Sequence, residues 1–427
     1  MRNFYPMYLV LAYLIFTLFL YVFGPVQFKT HNVLLFYTLF IFYLLSFFVG
    51  YLISFLLNKG SKVLYEYRTF SVLNFYLLFF FGTFVLLINY KNLMLNDSLI
   101  PYDFFNNLFR GINEPGLVYS ERMSKISAGY SSNSRLFNIL LLFISFTKLL
   151  FIFYFVYFWG ELNFRKKTIC YLFSLLFLSC GISSGTNSFV FIFFIFLFFS
   201  LLVRYLIFSP QKLKKALSYL GVGMLLPIFS FGYIMSQRGG GFDYFKSTSP
   251  LGDISVVISS FDNEGFWGFL FYSLVWLNYY LVQGYYGFSL ILSEHFEWTY
   301  GFGNSAFLQR QFEMITGNSI TNNTFQSKVS DVWHIEAQWH SFFGQFANDV
   351  GLLGVGLVMF LLGYLLSKLW LSVRYCNSFY GAAMLPIIIL LVIFIPANNQ
   401  VFGYVDTLSY FIFVIILWIF ERKRFKL

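Results

Sequence analysis

Long apolar runs, separated by short polar stretches, fill the chain from end to end. A helix that crosses the hydrocarbon core of a bilayer needs about 17–25 such residues. Spans are predicted at 6–24, 33–57, 71–90, 136–159, 168–183, 186–208, 215–235, 348–371, 382–396 and 402–420. The run at 382–396 is short, but Pro386 and Pro396 are tolerated where neighbouring helices satisfy the backbone groups they free. The first run follows only Met1, Arg2 and Asn3 and has no small-residue cleavage site after it. It is therefore expected to be a retained span and not a signal peptide.

Residues 267–293 fit this scheme differently. They are apolar enough for a span, yet the stretches on either side, 236–266 and 294–347, are both acidic and poor in Lys and Arg. The element should cross an even number of times, zero or two. Asn278, Gln283 and the Gly284–Gly287 stretch suggest a bent or re-entrant piece lining a cavity, where irregular backbone is tolerated at membrane depth. The predicted fold is an all-α polytopic transmembrane bundle of ten spans plus this element. It forms one membrane domain over 1–427, with long external loops at 91–135, 236–266 and 294–347. Loops of that kind on a rigid scaffold are where binding and chemistry concentrate.

Charge fixes the orientation. The chain carries a formal net charge of +10, with only 11% charged residues and 59% hydrophobic ones, a composition that excludes an ordinary soluble globule. With both termini placed in the cytoplasm, the inner loops hold 17 basic residues against three acids, a balance of +14, and the remainder balances at −4. That asymmetry is the positive-inside signature, so the basic total reports topology and nucleic acid is not expected as a partner. Cys170, Cys180 and Cys376 show neither a disulfide framework nor metal-ligand spacing, and no metal or cofactor is expected.

The stretch 338–356, QWHSFFGQFANDVGLLGVG, holds the densest candidate chemistry. His340 is expected just outside a membrane helix, where its near-neutral reference pKa suits it to take a proton from a hydroxyl. It would equally serve as an interfacial anchor between Trp339 and Phe342. Asp349, nine residues on, could orient His340 or that hydroxyl, or cap the helix together with Asn348. His334, in SDVWHIEAQWH, competes as a substrate-binding group.

The pattern His340-Ser341-Phe342-Phe343, then Asn348-Asp349-Val350-Gly351-Leu352-Leu353-Gly354, resembles the motif of bacterial O-antigen ligases and Wzy-type O-antigen polymerases. GYYGFSLILS followed by TYGFGNSAF resembles the polymerases' approach to their large outer loop. The resemblance covers about 230–420, and it covers the N-terminal half only as a hydropathy profile. It implies a glycosyltransferase of the C-type, all-helical class in the bacterial inner membrane. Its substrates would be oligosaccharide repeat units on undecaprenyl pyrophosphate, joined without a metal or other cofactor. Membrane lipid and a chain-length regulator protein are the further partners implied. An O-antigen ligase is the first alternative. A non-enzymatic flippase or transporter is the second, although no internal repeat is visible.

Such a reaction needs cations for the pyrophosphate, and Arg suits because its planar fork binds phosphate oxygens in pairs. Arg238 follows a span directly, and Gly239 and Gly240 beside it would let the backbone approach a phosphate. The alternative there is a flexible turn with a surface Arg. Arg310, in AFLQRQFEMITG, is the second candidate, the alternative being an ion pair with Glu313. The ligase-like pattern would place an Arg where this chain has Gln283, which is retained as a substrate-binding candidate. Lys148 falls near mid-span, where a charge is costly. It would contact the pyrophosphate or a carboxylate on another helix, or snorkel. Ser183–Ser188 reads as a polar lining or a tight turn.

Overall fold

The computed structural model describes residues 2–58, 69–96, 98–128, 135–238, 254–256, 265–335 and 338–424. It is an all-α polytopic bundle. In chain order the helices are α1 (Tyr5–Phe23), α2 (Val33–Asn58), α3 (Val72–Met94), α4 (Phe104–Asn113), α5 (Pro115–Ser127) and α6 (Arg135–Ile144). Next come α7 (Phe146–Tyr157), α8 (Phe164–Ser183), α9 (Asn187–Phe208), α10 (Leu213–Arg238) and α11 (Gly265–Leu290). The last five are α12 (Ala306–Thr316), α13 (Phe325–Lys328), α14 (Phe342–Cys376), α15 (Phe379–Phe394) and α16 (Val405–Arg424). One two-stranded antiparallel ribbon pairs β1 (Val26–Phe28) with β2 (Ile254–Val256).

Among the described residues eight helical stretches, with α6 and α7 together forming one over Ile139–Tyr157, are long and apolar enough to cross a membrane, so the chain is a multi-pass membrane protein. The remaining two predicted spans correspond to α15, of 16 residues, and α16, whose apolar stretch ends in Glu421, Arg422, Lys423 and Arg424. Large apolar side chains such as Leu34 and Leu353 are 84% and 74% exposed; in a bilayer these positions meet lipid, not water. The N-terminus, the α14–α15 corner and the C-terminal end of α16 share one face. Tyr51 Oη donates to the Asn3 carbonyl, Arg374 Nη1 donates to Asn3 Oδ1 at 2.6 Å, and Ser378 Oγ donates to Glu421 Oε2 at 2.5 Å. The opposite end carries the 24–32, 98–128, 291–335, 338–341 and 395–404 segments, and is called the loop face below.

The tightest pairing in the bundle joins α2 and α14, which run side by side. A Cβ at Gly50 would lie 2.0 Å from the Phe360 carbonyl oxygen, and one at Gly363 would lie 2.1 Å from that of Phe47. Where lipid removes the hydrophobic drive for helices to associate, such small residues let backbones touch and gain dispersion contacts. Gly363→Leu is therefore expected to separate the pair and cost about 1–3 kcal/mol or more through overpacking. A thermal melt of the purified protein in detergent checks this. A melt unchanged from wild type would remove the glycine contact from the account.

Residues 267–293 depart from expectation. α11 is one uninterrupted 26-residue helix with no break at Gly284–Gly287, so it is neither bent nor doubly crossing. Its glycines serve close approach instead. A Cβ at Gly284 would lie 2.3 Å from the Ala397 carbonyl oxygen and 2.6 Å from the Ser341 nitrogen. One at Gly287 would lie 2.8 Å from His340 Nδ1. α11 meets α1 at Thr17, Tyr21 and Gly24, and α2 at Phe36, Phe40 and Tyr43. Its other half packs on α10 at Phe229, Phe231, Gly232 and Met235. All of these belong to the helix halves nearest the loop face, so α11 lies across the bundle and links α10 to α1 and α2.

Candidate functional site

Two groups of polar residues form on the loop face. The first is built by the helical hairpin α4–α5, which the sequence shows only as part of a long loop. Its corner is set close against the scaffold. A Cβ at Gly111 would lie 2.1 Å from the Ile182 carbonyl oxygen, and one at Gly116 would lie 2.3 Å from that of Gln237. Arg110 Nη2 donates to both carboxylate oxygens of Glu121, at 2.8 and 3.0 Å, and ties α4 to α5. This docking carries Tyr119 and Arg122 of α5 to the end of α10. The Arg238 guanidinium stacks on the Tyr119 ring, 3.5 Å from its centroid, and donates to the Gly185 carbonyl. Gly185 has φ +61° in the tight turn between α8 and α9, a conformation that favours glycine. Arg122 is half-buried, its Nε has no hydrogen-bond partner, and burial pulls its pKa below the ordinary guanidinium value. Gly239 and Gly240 lie outside the described residues.

The second group surrounds His340. Ser341 caps α14 by accepting from the Gly344 N–H at 3.3 Å, and the Ser341 N–H donates to the Gly284 carbonyl at 3.1 Å. This pins His340 between α11 and the Trp333 indole. His340 is 2% exposed, and neither ring nitrogen has a hydrogen-bond partner. Burial pushes its pKa down to about 3, only partly opposed by the backbone of Gly287 and Trp333. The expectation of a near-neutral His standing at a cavity mouth is thus corrected: the imidazole is enclosed and neutral at physiological pH. Gln283, also buried, accepts the Trp339 N–H on its Oε1 at 3.3 Å and so holds the segment leading to His340. His334 lies exposed six residues earlier.

Asp349 has a different task from those expected. Its Oδ1 accepts from Thr299 Oγ1 at 2.6 Å and from the Gly303 N–H at 2.9 Å. Its Oδ2 accepts from the Asn304 N–H at 2.9 Å and Asn304 Nδ2 at 2.6 Å. Both oxygens are thus committed to the 299–304 turn and neither reaches His340. Asn348 does the same for the next turn, with Oδ1 accepting from the Phe325 N–H and Nδ2 donating to Gln326 Oε1. Neither residue starts the helix, because α14 begins earlier, at Phe342, and kinks just beyond them at Gly351, φ +70°. Together they fold 294–347 onto the bundle.

Arg310 sits exposed on α12, its charge within reach of Tyr404. Among the described residues no ion pair joins it to Glu313, and no contact joins it to Arg238. Lys148 is 2% exposed and pairs with Asp406 Oδ2 at 2.5 Å, between the Phe177 and Phe189 rings. Of the contacts open to it, the carboxylate on another helix is the one it makes. A cleft of about 270 Å³ lies elsewhere, between α3, α7, α15 and α16, lined by Leu77, Phe81, Leu150 and Tyr380 among others, of which Leu77 and Phe81 are exposed.

The two groups are connected. The Tyr280 ring meets Trp339 edge-on at 4.9 Å, next to His340, and Tyr280 is also near enough to Arg238 to act on its charge. No protein-family model, curated protein or solved structure matches the chain. Function therefore has to be argued from this surface. It offers a stacked cation, an aromatic bridge and an enclosed imidazole, all on one face of a membrane bundle.

Proposed function

We propose that the chain is a membrane glycosyltransferase that joins oligosaccharide repeat units carried on a polyisoprenyl pyrophosphate. The loop face is then the outer face of a bacterial inner membrane, with both termini cytoplasmic. The basic residues of the opposite face support that orientation. The observation that carries the reading is the connection of Arg238 to His340 through Tyr280 and Trp339 on one surface. Arg238 supplies a charge that does not titrate in the working range and donors for phosphate oxygens. Trp339 and Tyr280 present apolar ring faces suited to sugars. His340 is enclosed directly behind Trp339, so its part is to hold that ring surface in place for the acceptor. With its pKa pushed down to about 3 it is also a poor base for the attacking hydroxyl, since proton transfer is most efficient near the operating pH.

In the reaction, the acceptor hydroxyl oxygen forms a bond to the donor's anomeric carbon. The bond from that carbon to the pyrophosphate oxygen breaks, the pyrophosphate carrier leaves with the electron pair, and the hydroxyl proton passes to solvent. Lys148 and Asp349 have no part in this, being engaged with Asp406 and the 299–304 turn. Arg310 and His334 are exposed groups on the same side of the bundle.

Complementation of a knockout strain tests the roles. Arg238→Ala and His340→Ala are expected to leave single-repeat surface glycans; normal-length ladders from both variants would overturn the assignment. Free polymer with bare core would indicate ligation instead. Purified protein that moves lipid-linked units across vesicles without lengthening them would indicate a transporter.

A further inference from the structure

We propose that Arg122 of α5 and Arg238 of α10 form a single anion site, floored by Tyr119, that takes a phosphate or pyrophosphate group. Arg122 is not among the residues that sequence patterns single out. It lies in SERMSK, on a hairpin whose only visible signature is that of an external loop.

The argument starts from two like charges. The hairpin docking brings the Arg122 guanidinium close enough to Arg238 to repel it. Both side chains are half-buried, and the Nε of each is enclosed without a hydrogen-bond partner. Among the described residues neither has a carboxylate partner; the neighbouring acid, Glu121, is taken by Arg110. Tyr119 contributes a ring face that stabilises Arg238, but it cannot neutralise two charges. Two cations gathered with desolvated donors, and with no acid beside them among the described residues, call for an external anion. The ligand class follows from the donors, because two guanidinium forks match the several oxygens of a phosphate or pyrophosphate better than a single carboxylate.

The choice of pyrophosphate as the physiological group rests on the glycosyltransferase reading; the anion site does not. It makes Arg122, and not Arg310, the second cation beside Arg238. Arg310 stands on α12 near Tyr404, with no contact to α5 or α10 among the described residues.

The test uses the full-length protein in neutral-lipid nanodiscs, titrated calorimetrically with inorganic pyrophosphate. A parallel arm carries undecaprenyl pyrophosphate in the disc, which separates a free ligand from a lipid-borne one. Wild type is expected to bind at least one probe, and Arg122→Gln and Arg238→Gln each to weaken binding by about tenfold, as the loss of a charge-assisted hydrogen bond implies. Arg122→Lys should recover part of the affinity by restoring charge without the fork. Phenylglyoxal labelling of the wild type, read by mass spectrometry, removes dependence on variants that fold poorly. Pyrophosphate should protect Arg122 and Arg238 together. Failure of wild type to bind either probe, Arg122→Gln binding like wild type, or Arg122 labelling unchanged at saturating pyrophosphate would each overturn the site. Binding that persists in a protein unable to elongate lipid-linked units would leave the site standing and overturn the proposed function alone.

Discussion

Asp406→Ala is expected to lower stability by about 3–5 kcal/mol, the usual cost of leaving one buried charge without its partner. Lys148 is 2% exposed and held between Phe177 and Phe189, so without Asp406 its ammonium has no anion and little water. The reverse change should cost less. In Lys148→Met, Asp406 keeps the Asn89 amide at 3.2 Å, retains 19% exposure, and stays in the first turn of α16, where the helix dipole favours a negative charge. The double variant Lys148→Met/Asp406→Leu removes both charges and should return close to wild type, since buried pairs replaced by apolar residues are often neutral. The ranking of the three variants in thermal melts in one detergent is the measurement. A double variant as unstable as Asp406→Ala would show that the pair is not what Asp406 contributes.

That pair also marks where sequence reading stops. Lys148 is conspicuous in an apolar run because its charge is expensive there, and a carboxylate on another helix is one of the answers this cost suggests. Nothing along the chain selects Asp406, which is 258 residues away. The spans themselves are legible for a related reason. A bilayer demands about 20 consecutive apolar residues, and that demand is written locally. Glycines are read less well, because a glycine that breaks a helix and one that admits a neighbouring backbone look alike in sequence. Gly284 and Gly287 suggest a bend, but they are the points where Ala397 and His340 press on α11. Asp349 likewise has the composition of a helix cap, but its partners, Thr299, Gly303 and Asn304, lie 45 to 50 residues earlier. Arg122 carries no local signal, since it acquires its burial only when Gly111 and Gly116 dock the hairpin on Ile182 and Gln237. Tertiary packing decides these positions, and no pattern of neighbours encodes it.

The second large effect is a loss of stability on acidification that originates in one imidazole. His340 has a folded-state pKa of about 3, against about 6.5 when the chain is unfolded. Between those values the unfolded state binds the extra proton, so stability rises with pH across this window and falls as pH drops below 6.5. The contribution is fully present above about pH 6.5. It diminishes by about 2 kcal/mol at pH 5 and by up to about 5 kcal/mol near pH 3, where the folded state also takes up the proton. Carboxylates elsewhere in the chain lose their own stabilising contacts in acid, so the comparison has to be with His340→Gln, which keeps a polar planar group but does not titrate. Unfolding of both proteins in the same detergent, followed from pH 7.5 to pH 4, should show wild type losing stability more steeply than the variant as the pH falls, because only wild type carries this penalty. Parallel curves would mean that His340 is not enclosed as described. They would also return it to the role of a near-neutral base at an open surface. Its pH response therefore reports on both the packing of α11 against α14 and the chemistry available to the acceptor hydroxyl.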